Sequence, residues 1–238
     1  MMKDQNFYNK ESSIYSAKRY PERATNYVQY FFKRRLAISC NALSNYLGDR
    51  KGLNLLEIGC ADGIVMKNIS DKTGEMFRSM VGIDTASEMI ATARSLNSDR
   101  NMNFFVRGEE SQDVRYDAIV EIGVANYADF DTELRYISEH LKDGGVCVFS
   151  IAGRGSLNER FDDGSGYRNF MKYGEYESKI REVFMIRQII PVGFRLPFIW
   201  YVPLVARGIQ SLIEVCAALV VPRLYHEKVY VLGKKRSG

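Results

Sequence analysis

The chain has 238 residues, of which 46% are hydrophobic and 26% are charged, and its net charge is +4. These values are close to the averages of globular proteins, so they exclude a disordered or fibrous chain and fit one α/β domain. The positive charge is too weak to indicate nucleic-acid binding unless it is concentrated in a patch, and we expect no nucleic-acid partner.

Four cysteines are scattered along the chain: Cys40, Cys60, Cys147 and Cys216. They show no Cys-x-x-Cys spacing and are accompanied by only two histidines, so we expect neither a metal site nor a disulfide framework. The first residues contain no apolar segment typical of a secretory signal. The apolar stretch that begins at Leu196 is interrupted by Arg207 and Glu214, which argues against a membrane span of about 20 residues. We expect a cytoplasmic protein with reduced thiols.

The first half of the chain alternates between two periodicities. The first 19 residues are polar with scattered aromatics and predict an arm. Apolar residues then recur at three- and four-residue steps from Val28 through Phe32 and Leu36 to Leu47, which predicts a helix that ends at Gly48. Strands are predicted at 53–58, 80–84, 103–107, 116–123 and 146–151, with helices at 64–72, 87–96 and 132–141 between them. This alternation is typical of a parallel sheet covered by helices.

The pattern changes after residue 151. Residues 152–174 predict a long loop, followed by a helix at 175–184, a strand at 185–192 and a last strand at 228–233. Between Pro203 and Pro222, apolar residues share one helical face opposite Gln210 and Glu214. We expect one domain with an N-terminal arm and helix (1–48), a core (49–151), a cap or insert (152–225) and a last strand and tail (226–238).

One segment connects the first predicted strand to the next helix through glycines. Residues 55–63 read Leu-Leu-Glu-Ile-Gly-Cys-Ala-Asp-Gly, and Asp84 ends the second strand 21 residues after Gly63. Glycines at such a turn let a ligand approach the backbone near a helix N-terminus, and a carboxylate at the end of the second strand can accept ribose hydroxyls. A dinucleotide site needs a further glycine at position 64, where Ile64 stands, so a nicotinamide-dependent enzyme is disfavoured.

The spacing Glu-x-Gly-x-Ala-x-Gly resembles motif I of the class I S-adenosylmethionine-dependent methyltransferases, with Ala61 in place of the middle glycine. Four further segments resemble this family in order: motif II at 81–90, the third strand at 104–110, the fourth at 116–123, and a Leu-Lys-Pro-Gly-Gly turn at 141–145 with Asp143 for the proline. The match covers about residues 50–151. It implies a Rossmann-like, doubly wound, mostly parallel seven-stranded α/β sheet with helices on both faces and a helical insert before the last strand.

The resemblance implies that S-adenosyl-L-methionine is bound by the following residues: Glu57, Gly59, Cys60, Ala61, Gly63, Asp84, Thr85, Met89, Gly108, Glu109, Glu110, Glu121, Ile122 and Gly123. In the family pattern, Asp84 binds the ribose, Met89 packs on the adenine and Glu109 stands where an acid binds the adenine amino group. Asp84 and Met89 each have an alternative, since Asp84 is also placed to cap a helix and Met89 to fill the core. We expect Glu57 to organise the loop or to touch the methionine amino group through that loop.

The family's reaction is an in-line attack on the methyl group of a sulfonium, so the protein mainly aligns the reactants. No residue can be identified as a general base from the sequence pattern. The candidates that follow the fourth and fifth strands are Asn126, Tyr127, Asp129 and Arg154. Of these, Tyr127 and Arg154 are our catalytic candidates, although Tyr127 also suits a pocket wall and Asp129 a helix cap. We expect His140 and His226 to be structural.

The absence of certain motifs narrows the range of possible methyl acceptors. The chain has neither Asp-Pro-Pro-Tyr nor Asn-Pro-Pro-Tyr, which disfavours adenine and glutamine N-methylation, and it has no Pro-Cys pair for cytosine C5 chemistry. We therefore expect methyl transfer to a small-molecule or sugar-like acceptor, most readily on oxygen. The alternative is a non-catalytic S-adenosylmethionine-binding regulator or partner protein.

Substrate recognition is expected outside the motif region. The contributing parts are the aromatic arm (Phe7, Tyr8, Tyr15, Tyr20), the loop 154–173 and the insert 194–224. The insert suits a cap packed on its own core or a homodimer interface, and we also consider a peripheral membrane contact that holds a glycan- or lipid-linked substrate. The basic runs at 33–35 and 234–236 are expected to be solvated.

Overall fold

Seven strands form one sheet in the computed structural model, which describes residues 5–156, 159, 166–195 and 199–235, without the side chains of Gln5 and Arg223. The strands are β1 (Leu53–Ile58), β2 (Phe77–Asp84), β3 (Met102–Val106), β4 (Tyr116–Ile122), β5 (Leu141–Ala152), β6 (Phe184–Val192) and β7 (Glu227–Lys234). Their order is β3-β2-β1-β4-β5-β7-β6. Strand β7 is antiparallel to both of its neighbours, and the other pairs are parallel. The predicted mostly parallel, seven-stranded sheet is confirmed.

Eight α-helices accompany this sheet in the described part of the chain. They are α1 (Gln5–Glu11), α2 (Tyr15–Arg19), α3 (Tyr27–Leu47), α4 (Ile64–Thr73), α5 (Ser87–Leu96), α6 (Phe130–His140), α7 (Tyr173–Val183) and α8 (Pro203–Val220). Helix α8 lies between β6 and β7, as the predicted insert requires. The predicted arm forms α1 and α2.

Core residues cover both faces of the sheet, because successive residues of a strand point to opposite sides. In β1, Leu55 packs into the cluster that contains Phe31 and Leu43 of α3, and Leu56 packs into the cluster that contains Leu134 of α6. A parallel sheet buried on both faces leaves its carboxyl edge as the place where a ligand can enter.

Helix α3 begins where the Asn26 side chain accepts a hydrogen bond from the Gln29 amide at 3.0 Å, and it ends at Gly48, whose φ is +59°. Its buried face differs from the predicted one. Val28 is 55% exposed, whereas Tyr27 and Phe31 are buried. The predicted periodicity was right from Leu36 onwards and wrong in the first turns.

The fifth strand also begins earlier than predicted. The predicted turn at 141–145 is already part of β5, which pairs Leu141 with Tyr116 and then resumes pairing at Val146 after a shift of register. Gly144 has a φ of +74° in this irregular stretch. The glycines therefore bend a strand here, where we predicted a turn before the strand.

Helix α8 turns its polar face towards the rest of the domain and its apolar face outwards. Its buried residues are Ala206, Gln210 and Glu214, while the apolar residues of the opposite face are exposed. The prediction of a cap that buries its apolar face is wrong. Within the described residues, α8 is a helix long and apolar enough to cross a membrane by length and composition.

Candidate active site

The glycine turn after β1 is held against β2. The amides of Gly59 and Cys60 both donate to the carbonyl of Ile83, at 2.7 and 3.0 Å. Gly59 has a φ of +70°, and a Cβ there would lie 2.2 Å from the Val124 side chain, so only glycine fits. Ala61 has a φ of +48°, which makes it a non-glycine residue in the left-handed region and places strain in the turn.

Asp84, at the end of β2, ties this turn to the next helix. One carboxylate oxygen accepts from the Ala61 amide and the other from the Ala86 amide, both at 2.9 Å. Burial raises the pKa of Asp84, and these backbone hydrogen bonds oppose the increase. The N-cap of α5 is Ala86, so the alternative that Asp84 caps this helix is wrong. Because each carboxylate oxygen can accept a second hydrogen bond, Asp84 can also accept two hydroxyls.

A cavity of about 110 Å³ opens in front of this turn. Seven predicted site residues line it: Gly59, Ala61, Asp84, Thr85, Ile122, Gly123 and Tyr127. Six further residues were not predicted as cofactor ligands: Tyr8, Tyr15, Ile58, Ile83, Arg107 and Val124. The walls come from the carboxyl ends of β1, β2 and β4 and from the N-terminal arm.

A larger cavity of about 460 Å³ lies beside it. Tyr8, Tyr15, Gly123 and Tyr127 line both cavities. The larger one adds twelve lining residues, most of them aromatic or cationic: Arg19, Tyr27, Val28, Phe31, Phe32, Arg35, Asn126, Ala152, Tyr167, Arg195, His226 and Glu227. Two ligands can therefore occupy adjoining spaces that meet at Gly123 and Tyr127.

A buried ion pair stands in the wall of the larger cavity. Nη1 of Arg35 donates to both carboxylate oxygens of Glu227, at 2.9 and 3.2 Å. Burial alone would lower the pKa of Arg35, but the Glu227 carboxylate raises it overall, so the guanidinium keeps its charge. A Cβ at Gly123 would lie 2.3 Å from Arg35 Nη1, so this glycine makes room for the guanidinium. The prediction of a solvated basic run at 33–35 is wrong for Arg35.

A family model described as a methyltransferase domain matches residues 27–188. The chain belongs to this family, the class I S-adenosylmethionine-dependent methyltransferases. It is 30% identical over 110 residues to a ubiquinone biosynthesis O-methyltransferase of Azorhizobium caulinodans, an alignment that covers 44% of this chain and 42% of that protein. The chain thus spans less than half of this relative.

Solved structures show the same fold. One is the N-methyltransferase NodS of Bradyrhizobium japonicum in complex with S-adenosylhomocysteine, with a TM-score of 0.66, 15% identity, and coverage of 98% of each chain. Another is the [4+2]-cyclase SpnF, with a TM-score of 0.68, 15% identity, and coverage of 98% of this chain and 95% of SpnF.

S-adenosylmethionine is the cofactor of this methyltransferase, and the chemistry of the glycine turn and Asp84 beside the small cavity suits its ribose. The turn at Gly59 presents bare backbone, and the Asp84 carboxylate has acceptor capacity left for the ribose hydroxyls. Gly123 and Tyr127 then lie on the side towards the larger cavity.

Five predicted ligands lie behind the turn in this methyltransferase. These are Glu57, Cys60, Gly63, Met89 and Glu121, none of which lines the described cavities. Met89 is buried in a cluster with Ala61 and Ala86, onto which Tyr8 and Tyr15 pack. Burial raises the pKa of the Cys60 thiol well above its usual range, so this thiol stays protonated. Among the described contacts, these residues support the site from behind.

Two buried acids flank the methyltransferase site. Burial raises the pKa of Glu57 well above its usual range, and Asp84 and Asp62 raise it further, while the Met66 amide opposes this by donating to it. Burial also raises the pKa of Glu121, as does the nearby Glu133, and neither carboxylate oxygen of Glu121 has a hydrogen-bond partner among the described residues. Both therefore keep a proton to a higher pH than an exposed glutamate does. Glu57 fits the alternative that it organises the loop.

The third-strand region of the methyltransferase differs from the prediction. Gly108 and Glu109 are exposed and line neither cavity, while Glu110 turns inwards. Glu110 accepts from the Gly108 amide at 2.6 Å and from the Tyr136 hydroxyl at 2.7 Å. Arg107, one residue earlier, reaches the cofactor cavity and pairs with Glu133 at 2.9 Å.

The N-terminal arm closes the cofactor side of the methyltransferase. The amide and hydroxyl of Ser16 both donate to one oxygen of Asp62, at 3.0 and 2.5 Å. Asp62 belongs to the glycine turn, so the arm is anchored directly to the segment that receives the cofactor. Aromatic residues in the arm predicted such a cover, but nothing in the local sequence predicted the Ser16–Asp62 contact.

The catalytic candidates are separated by the structure. Tyr127 stands where the two cavities meet, with its ring 6.3 Å from Tyr8 and 5.3 Å from Tyr167. Arg154 is exposed, 5.8 Å from the Phe170 ring, and lines neither cavity. Asp129 caps α6 by accepting from the Thr132 amide.

The remaining candidates have structural contacts. Asn126 lines the larger cavity, and its side chain both donates to the Ala152 carbonyl and accepts from the Ala152 amide, at 2.9 Å each. His140 stacks on Tyr136, with ring centroids 4.0 Å apart. His226, expected to be only structural, lines the larger cavity.

Proposed function

We propose that this methyltransferase transfers the methyl group to an oxygen atom of a small, sugar-like acceptor held in the larger cavity. The observation that carries the proposal is the shared wall: Tyr8, Tyr15, Gly123 and Tyr127 line both cavities. An in-line transfer needs the acceptor atom within about 3–3.5 Å of the methyl group, and adjoining cavities allow this contact. The similarity to an O-methyltransferase supports oxygen as the acceptor atom.

The lining of the larger cavity supports a ring-shaped acceptor with an acidic substituent. Aromatic side chains such as Phe31 and Tyr167 offer flat surfaces on which a ring can stack. Arg19, Arg35 and Arg195 bring three guanidinium groups to the same cavity. Two of them also pair with a carboxylate, Arg19 with Glu11 and Arg35 with Glu227, and their remaining N–H groups can serve a ligand. Guanidinium groups bind carboxylate and phosphate well, which favours an anionic acceptor.

Bound S-adenosylmethionine supplies a methyl group on a positively charged sulfur, so the protein's own task is to orient the acceptor and take its proton. We assign the proton to His226, because imidazole is suited to this role near neutral pH and His226 lies on the cavity wall. The backbone of His226 is held on both sides: its amide donates to the Gly193 carbonyl at 3.0 Å, and its carbonyl accepts from the Tyr173 hydroxyl at 2.8 Å. Tyr127 serves as a wall between the two ligands.

The proposed location is the cytoplasm. All four cysteines are free in the structure, and Cys40, Cys60 and Cys147 are buried. Burial raises the pKa of these three thiols, which keeps them protonated and unreactive. Free thiols are typical of a reducing compartment.

A transfer assay with labelled S-adenosylmethionine and panels of hydroxyl, amine and thiol acceptors tests the proposal. We expect label on anionic, ring-shaped hydroxyl compounds, and we expect His226→Gln to lower kcat by about 10²–10⁴-fold. Asp129→Asn is the matched control, since it removes a carboxylate candidate but keeps a good helix cap, and its kcat should equal that of the wild type. Label confined to amines or thiols, or an unchanged kcat in His226→Gln, would refute the proposal.

A further inference from the structure

The exposed face of α8 consists of apolar side chains. Positions that point outwards, at 100° per residue, are occupied by Leu204, Val205, Ile209, Leu212, Val215, Leu219 and Val220, which are 43–84% exposed. The charged residues of the helix are Arg207 and Glu214, and neither lies on this face. A contiguous apolar surface of this size is unusual on a protein that stays in water and marks a binding surface.

Polar contacts on the inner face fix this orientation. Nε2 of Gln210 donates to the Phe194 carbonyl at 2.5 Å, and Trp200 Nε1 donates to Oε1 of Gln210 at 3.3 Å. Glu214 accepts from the Tyr30 hydroxyl at 3.2 Å and pairs with Arg34 at 3.6 Å. Rotating the apolar face inwards would break these bonds, so they hold the helix with its apolar face outwards.

The same contacts show how α8 can meet a lipid bilayer. A helix whose inner side is hydrogen-bonded to Phe194, Trp200 and Tyr30 along two turns does not cross a membrane, although its length and composition would suffice. A helix with one apolar side and one side bound to its own domain instead lies in the plane of the interface.

Charge and aromatic residues around α8 suit an anionic lipid surface. Tyr201, just before the helix, is 82% exposed, and tyrosine is favoured at the level of lipid headgroups. Two partly exposed arginines, Arg34 and Arg207, flank the inner side of the helix, and Arg34 pairs with the buried Glu214. The exposed face also lacks the hydrogen-bonding groups that a protein interface supplies at about one bond per 100–200 Å².

We infer that α8 docks this methyltransferase on an anionic membrane surface, with its exposed apolar face in the lipid. The helix packs on the start of α3 through Tyr30 and Arg34, and Tyr27, Val28 and Phe31 of the same helix line the larger cavity. Docking therefore places that cavity beside the headgroup layer. It follows, if the proposed function holds, that the acceptor group belongs to a membrane-anchored molecule whose polar end enters the cavity.

Vesicle flotation of the full chain tests the docking surface. The vesicles contain phosphatidylglycerol and phosphatidylcholine, or phosphatidylcholine alone. We expect the wild type to float with the anionic vesicles and the double variant Leu212→Glu/Leu219→Glu to bind at least tenfold more weakly. The matched control is Leu96→Glu, which adds the same charge at an exposed leucine of α5 and should bind like the wild type.

Three results would overturn the inference. Two of them are equal flotation of the wild type and the double variant, and flotation of neither. The third is a wild-type dimer by analytical ultracentrifugation that the double variant converts to a monomer without any vesicle binding, which would make this face an interface between copies. Calorimetric titration with S-adenosylhomocysteine on the same samples shows that the variants are folded. Flotation needs no methyl acceptor, so a failure of docking is distinguishable from a failure of the proposed function, which the transfer assay measures.

Discussion

Removing one partner of the Arg35–Glu227 pair should destabilise the protein much more than removing both. The two side chains are only 7% and 3% exposed, so either charge left alone would be buried without compensation. The expected loss is about 3–5 kcal/mol for Arg35→Met or Glu227→Gln. Such a loss is a large share of the roughly 5–15 kcal/mol that stabilises a typical domain.

The double variant Arg35→Met/Glu227→Leu replaces the pair by apolar groups of similar size and should be more stable than either single variant. Urea unfolding followed by circular dichroism gives the four free energies of the cycle. The stability of the double variant should lie between a small loss and a gain of about 1–4 kcal/mol relative to the wild type. It should still bind S-adenosylmethionine and lose turnover of an anionic acceptor. Additive losses, or single losses below about 1 kcal/mol as for exposed pairs, would refute the argument.

Two further predictions concern the buried residues around the glycine turn. Ala61→Gly should raise the free energy of unfolding by up to about 1 kcal/mol, since it relieves a φ of +48°. The control Ala86→Gly, at a φ of −89°, should lower the free energy of unfolding. Calorimetric melting distinguishes the two variants, and a loss of stability in Ala61→Gly would contradict the assigned strain. Burial raises the pKa of Glu121 in the folded protein. The unfolded chain releases this proton above the ordinary glutamate pKa near 4.3, whereas the folded protein keeps it. The free energy of unfolding therefore falls as the pH rises from that ordinary pKa to the folded-state pKa. Glu121→Gln should remove up to about 1.4 kcal/mol per pH unit from this slope in urea unfolding at pH 5, 6 and 7, and an identical slope would show that Glu121 does not titrate as argued.

The glycine turn and the acidic end of β2 were predictable because their signals are local. Gly59 and Asp84 follow directly after strands, and parallel strands bring their carboxyl ends together whatever the rest of the chain does. Side-chain direction was less predictable. Glu57 and Glu121 match the family pattern by position, but the alternation along β1 and β4 turns both away from the cavities.

The acceptor side depends on contacts between distant segments, which no local pattern reports. Arg35 and Glu227 are 192 positions apart, and the basic run around Arg35 looked like a solvated face. One signal was available: Arg35 occurs among the apolar residues of a helix that the periodicity predicted to be buried. For α8, the periodicity correctly predicted an amphipathic helix. It did not predict that remote partners such as Phe194 and Tyr30 would satisfy the polar side and leave the apolar side outwards.

Calorimetric titration of S-adenosylmethionine into the wild type and Asp84→Ala is the most direct measurement of the cofactor site. Asp84 lines the cavity and holds the turn through the Ala61 amide, so we expect one equivalent bound to the wild type and at least tenfold weaker binding to the variant, or about 1.4 kcal/mol. A wild type that binds no methyl donor, or a variant with an unchanged Kd, would contradict the assignment of this cavity.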